Sequence, residues 1–198
     1  MHNPMRSISR SVALIAALAT LLVGCAAAPE GDGRPAAAGI DEVLAVHDLD
    51  GKTAEQIIDR LEAVAVAERT TDLLASVRGD VLVLATEAQD QQLPMPEDRT
   101  YISIAPYVSQ THECVFHSLT TCIGELRGEP MQVTVTDDVT GEVLVDAEVT
   151  THDNGFVGLW LPRDVTGTIA VAHTDGSGTA AFSTAAGEAT CITTLALT

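Results

Sequence analysis

The sequence predicts an α+β fold, a small N-terminal α/β unit followed by a C-terminal all-β, sandwich-like domain. Three observations carry that expectation. One strong amphipathic helix signal starts at Thr53, Val- and Thr-rich alternating segments recur at about ten-residue spacing after Met131, and Asp/Asn/Gly turn signals separate them. The 198 residues are enough for one or two small domains with a core of their own.

Taken in order, the chain opens on a leader. Arg6 and Arg10 form a basic start, and Val12 to Val23 is an apolar run of 12 residues, too short to span a membrane as a helix in the mature protein. The run ends in Leu22-Val23-Gly24-Cys25, the pattern of a bacterial lipobox, so residues 1–24 read as a lipoprotein signal peptide and Cys25 as the lipidated residue. More than one acyl chain at Cys25 would anchor the protein stably on the outer face of the membrane, extracytoplasmic or periplasmic. Residues 25–39, rich in Ala, Gly and Pro, read as a flexible tether.

Residues 40–110 read as the small α+β domain. Thr53 and Gln56 make a capping-box arrangement, and Ile57, Ile58, Leu61, Val64 and Ala65 form the apolar stripe, with Asp59, Arg60 and Glu62 off it. Leu73–Thr86 is a hairpin turning at Gly79-Asp80, or a helix end and one strand, with Val81–Ala85 extended. Gln91–Asp98, with Pro94-Met95-Pro96, reads as a loop, and Tyr101–Tyr107 as a strand ended by Pro106.

Residues 111–198 read as a metal-site loop and the β-sandwich. The expected strands are Gln132–Thr136, Val143–Thr151, Phe156–Leu161, Thr168–His173, Thr179–Ser183 and Ala189–Leu197, with a turn at Asp175–Gly178. The lone Trp160 is expected to anchor the sandwich core.

Charge excludes one large class of function. With 28 acids against 10 bases the net charge is −18, and loss of Arg6 and Arg10 with the leader makes it −20. A reader of phosphate backbones needs the opposite sign, so no nucleic acid is expected as a partner. Such acidity fits a solvated surface and does not by itself make a metal protein.

The cysteines carry more. With Cys25 assigned to lipid, Cys114, Cys122 and Cys191 remain, an odd number in an exported chain. Two of them lie in His112-Glu113-Cys114-Val115-Phe116-His117-Ser118-Leu119-Thr120-Thr121-Cys122, with two histidines. Thiolate and imidazole are the donors that copper(I) and zinc prefer. Spacing alone leaves open a Cys114–Cys122 disulfide closing a loop. Phe116 and Leu119 are core anchors on either reading. His112 and His117 are candidate ligands, neighbours of the ligands, or an entry point for copper(II). His47, His152 and His173 read as surface groups, Met95 and Met131 as packing residues, and Glu125 as a solvated group or a partner for the loop. No Cys-x-x-Cys supports a thiol oxidoreductase, and Ser118 next to His117 is no triad, so no enzyme is expected.

The run HECVFHSLTTCIGEL resembles the CueP family of periplasmic copper-binding proteins. Asn154-Gly155-Phe156, Leu159-Trp160-Leu161-Pro162-Arg163 and Thr190-Cys191-Ile192-Thr193-Thr194-Leu195 extend the resemblance over most of residues 40–198. It implies copper held by Cys114, Cys122 and Cys191 and passed to an exported copper-accepting protein, although the lipobox departs from soluble members. Three thiolates suit copper(I), which needs no fourth ligand, better than zinc. Reaching that site requires the Cys191 strand to pair near the start of the β unit. Copper(II) meeting three thiols can yield copper(I) and a disulfide. The alternatives are a zinc or mixed-metal protein, or a structural β module with the Cys114–Cys122 disulfide.

Overall fold

The computed structural model describes residues 39–198. The expected leader, the lipidation site Cys25 and nearly all of the tether lie outside these residues. Among the described residues no helix is long and apolar enough to cross a membrane.

Two helices come first, α1 (Ile40–Val46) and α2 (Ala54–Glu62). The capping box forms as expected, with the Gln56 N–H donating to the Thr53 side chain and the Thr53 N–H donating to the Gln56 side chain. Helix α2 is shorter than its apolar stripe. It stops at Glu62, so Val64 and Ala65 lie beyond it, before a 3₁₀ turn at Val66–Glu68. Glu62, expected off the stripe, is only 1% exposed.

Strands β1 (Leu74–Val77), β2 (Val81–Ala85) and β3 (Asp90–Pro94) form an antiparallel sheet in that order. The Gly79-Asp80 hairpin is the form adopted, while β3 replaces an expected loop. β3 is an edge strand held by its ladder to β2, and it buries little of its own side-chain surface. Pro94 is tolerated at its end because an edge has no second ladder to supply.

β4 (Arg99–Ile104) sits at the centre of a second sheet, between β7 (Val157–Pro162) and β10 (Cys191–Ile192). The third sheet has the order β6 (Val143–Thr150), β5 (Pro130–Asp137), β8 (Thr166–His173), β9 (Gly176–Ser183). All its pairs are antiparallel. Alternation on β5 puts Met131, Val133 and Val135 inward.

The β8–β9 turn differs from expectation. His173 pairs with Gly176, so only Thr174 and Asp175 turn, and Ser177 and Gly178 continue the strand. The cause is the chain end. Ser177 and Thr198 exchange backbone hydrogen bonds, which holds Ser177-Gly178 extended against residues 196–198.

The middle sheet is covered on both faces. Ile102, Ile104, Leu159 and Leu161 join Met131, Val133, Val135, Ile169, Val171 and Phe182 of the third sheet in one core, the expected sandwich. On the opposite face Tyr101 and Trp160 pack against the core of α1, α2, β1 and β2. Trp160 therefore anchors the helical side and not the sandwich core, because the pleat turns it away from Leu159 and Leu161. The described residues, 39–198, belong to one compact unit, with β4 from before residue 110 paired to β7 and β10 from after it.

Candidate metal centre

The loop from Gln110 to Cys122 is fixed to its surroundings mainly by backbone hydrogen bonds. The Val115 carbonyl accepts from the N–H groups of Thr190 (2.9 Å) and Cys191 (3.2 Å), which sets Cys114 beside β10. The His117 carbonyl accepts from Val77 N–H, and His117 N–H donates to Thr190 Oγ1. A turn follows in which Cys122 N–H donates to the Ser118 carbonyl and Ser118 N–H reaches Cys122 Sγ at 3.3 Å. Arg69 Nη1 donates to the Cys122 carbonyl at 2.7 Å. Glu125 is the loop partner: one carboxylate oxygen accepts from the N–H groups of Val108, Ser109 and Gln110. Those three bonds hold its pKa below the usual carboxylate value.

Cys191 reaches this loop on β10, but not by the expected route. β10 runs parallel to β4, Cys191 opposite Ser103, and does not pair with the first strand of the third sheet. The Thr190 carbonyl and the Ile192 carbonyl accept from Ser103 and Ala105 of β4.

The result is a convergence of all three sulfurs. Cys114 and Cys191 are joined in a disulfide, with Cα atoms 5.7 Å apart, and Cys122 is free. Cys122 Sγ lies 3.6 Å from Cys114 Sγ. The expected alternative pairing, Cys114–Cys122, is thus corrected to Cys114–Cys191. The turn at Ser118 gives Cys122 its own backbone anchor, while the Val115 carbonyl carries Cys114 to β10.

The two motif histidines take different places. His117 is fully buried, with Nδ1 3.9 Å from Cys191 Sγ and its ring tilted against Phe156. His112 stands at the outer side, its ring centroid 6.2 Å from that of Phe156 in an edge-on arrangement. An open groove of about 690 Å³ is lined by His112, Cys114, Cys122 and Glu125. Two donor groups result, each with its atoms within 4.8 Å: His112, Cys114 and Cys122 outside, and His117, Cys122 and Cys191 inside. Ala105, Phe156 and the three cysteines form the small apolar cluster beneath.

The electrostatics favour a charged pair around His117. Burial alone would push the imidazole down, but hydrogen bonds and charge from Cys122 and Glu62 outweigh it and raise the pKa to about 9. Burial would raise the Cys122 thiol, and His117 more than offsets it, so the thiol falls below its ordinary value. Burial would likewise raise Glu62, and His117, Asn154 and Tyr101 bring it below the ordinary carboxylate value. The buried imidazole thus sits between Glu62 and Cys122 and favours the charged form of each, which for Cys122 is the thiolate, the reactive form of cysteine.

Glu62 is the residue that sequence reasoning placed wrongly. It is four residues after Ile58, which is the same face of α2, and that spacing was the available signal. Of the other histidines, His47 binds Asp72 (2.8 Å) and Thr70 (3.0 Å), outside both donor groups. The His173 side chain, expected on the surface, is 3% exposed and sits between Glu129 and Asp175. Met95 and Met131 pack in the core, as does Leu119. Phe116 is half-buried with Arg78 stacked over its ring at 4.3 Å.

The family described as periplasmic copper-binding protein CueP matches residues 56–196. The crystal structure of S.CueP is similar at 38% sequence identity, covering 82% of this chain and 99% of that one, with a TM-score of 0.75. No curated protein matches the chain.

Proposed function

Because this chain belongs to the CueP family of periplasmic copper-binding proteins, we propose that it sequesters copper outside the cytoplasm as copper(I), held by the thiolates of Cys114, Cys122 and Cys191. The observation that carries this reading is the meeting of three sulfurs from distant chain positions in one small cluster. Copper(I) is satisfied by two or three soft donors, which three thiolates supply. The acidic chain adds a favourable field for cations.

The Cys114–Cys191 disulfide supports a redox step. The two thiolates each give one electron, two copper(II) ions become two copper(I) ions, and the sulfurs join. In that state Cys122 and His117 are the donors left inside. A dithiol reductant from outside must return two electrons and two protons to reopen the three-thiolate site. This is stoichiometric chemistry, not turnover. His112, at the groove, suits first contact with copper(II). An exported copper-accepting protein would take the ion onward. The Leu22-Val23-Gly24-Cys25 pattern supports a lipid anchor at Cys25 with residues 25–39 as tether.

A second reading has one observation in its favour. The inner group mixes imidazole with sulfur, the donor set of zinc sites. A competition titration of the reduced full chain in mild detergent, with copper(I) and zinc, separates the two while free thiols are counted. The copper reading expects one copper(I) bound tightly, three thiols protected, zinc displaced, and most of the affinity lost in Cys191→Ser. Three thiols left reactive with copper(I) present would overturn it.

A further inference from the structure

Glu62 lies at the last turn of α2, in no part of the cysteine motif, yet it is buried beneath it at 1% exposure. A buried carboxylate is costly unless it is well paired, and this one meets three polar partners. His117 Nε2 lies 2.9 and 3.2 Å from its two oxygens. Tyr101 Oη lies at 2.9 Å, and Asn154 Nδ2 completes the set.

The network fixes each orientation in turn. Asn154 Oδ1 accepts from the Phe156 N–H at 2.9 Å, so the amide must turn its Nδ2–H₂ toward Glu62. Tyr101 donates its hydroxyl to the same carboxylate. Room for that ring comes from Gly158, where a Cβ would fall inside it. An ionised carboxylate only accepts. His117 Nε2 must therefore be the donor, which leaves Nδ1 as the ring atom facing the sulfurs at 3.9 Å from Cys191. A carboxylate that holds one imidazole nitrogen while the other faces a metal is the arrangement that orients histidine ligands.

We propose that Glu62 is a positioning residue of the copper site: by accepting from Nε2–H it holds His117 with Nδ1 on the inner side of the sulfur cluster, where Nδ1 releases its proton to solvent as copper(I) binds and becomes a donor beneath the thiolates. This rests on the copper reading above. Glu62 touches no copper itself and acts only through His117. Gln keeps its length but offers one acceptor oxygen to three donors and turns an amide N–H₂ against at least one of them.

The test uses the reduced full chain in mild detergent, with copper(I) as probe. Long-range ¹H–¹⁵N spectra of the wild-type imidazoles are expected to show the His117 Nδ1 resonance moving on copper(I) binding while Nε2 keeps its proton. Glu62→Gln is expected to weaken copper(I) by about 10–100-fold, the usual range for such orienting partners, and to abolish the Nδ1 response. In His117→Ala background the same substitution is expected to add no further loss, because its effect passes through that ring. An unmoved wild-type Nδ1 in a protein that binds copper(I) tightly would overturn the inference and leave the copper reading intact. So would a further tenfold loss in the double variant, which would make Glu62 merely structural. If Glu62→Gln fails to fold, the wild-type spectra still decide. Absence of tight copper(I) binding in the wild type would instead sink the reading beneath.

Discussion

Reducing the protein should destabilise it substantially, and copper(I) should restore part of the loss. The disulfide joins residues 77 apart in sequence. Closing a loop of that length removes chain entropy from the unfolded state worth about 4.5 kcal/mol. For a chain of this size each kcal/mol moves the melting temperature by about 2–4 °C, so reduction should lower it by roughly 9–18 °C. Copper(I) bound across Cys114 and Cys191 ties the same two points together. At about a thousand times its dissociation constant it returns at most about 4 kcal/mol, since thiols of the unfolded chain also compete for it. The assay is calorimetry of three samples: oxidised, reduced, and reduced with copper(I) buffered at a free concentration about a thousand times its dissociation constant. A reduced protein melting within about 3 °C of the oxidised one, far below the shift expected for the lost cross-link, would refute the entropy argument. A full recovery in Cys114→Ser with copper(I) would refute the bridging argument.

Three further outcomes are expected. Gly155 has φ +80°, and a Cβ there would stand 2.7 Å from the Gly124 backbone. Gly155→Ala should therefore cost about 2–4 kcal/mol in urea unfolding, from strain plus overpacking that rigid backbone cannot relieve. Thr53→Ala removes the capping box of α2 and should cost about 1 kcal/mol by the same measurement, with copper(I) affinity unchanged. His112→Ala should slow copper(II) uptake in stopped-flow absorbance while leaving the equilibrium affinity for copper(I) as it was, because His112 belongs to the outer group only.

What the sequence made legible were features set by local rules. The Thr53/Gln56 cap, the Gly79-Asp80 turn and the alternating strands after Met131 each follow from residues a few positions apart, and each appears in the structure. The features it hid depend on distant partners. β3 is polar, and its strand conformation comes from β2. Ser177-Gly178 reads as turn until residues 196–198 lie against it. Cys191 was expected to reach the loop through the first strand of the β unit, whereas β4, some ninety positions upstream, receives it. Glu62 reads as lying off the apolar stripe of α2. The spacing from Ile58 puts it on the buried face, but the partners that make a buried carboxylate tolerable, Tyr101, His117 and Asn154, arrive from three other segments.

If the site alternates between a disulfide and three thiolates, as proposed, it has to keep its shape when the covalent link opens, or the ligands would disperse at the moment they are needed. The backbone around this one meets that requirement without the sulfur bond. The Val115 carbonyl holds both Thr190 and Cys191 N–H groups, and Thr111 Oγ1 donates to the Thr193 carbonyl at 2.6 Å, so the Cys114 side of the loop stays on β10. Thr190 Oγ1 donates to Val77 while accepting from His117, which pins the inner histidine to the same strand end. Glu125 ties residues 108–110 to the segment after Cys122. None of these bonds involves sulfur, so opening the disulfide removes none of them directly. The cross-link can then supply most of its stability through the unfolded chain, as the loop-entropy figure assumes, and the folded geometry of the three cysteines is expected to stay nearly the same in both redox states. A reduced protein whose Cys114 and Cys191 amides exchange with solvent as fast as those of an unfolded peptide would contradict that division.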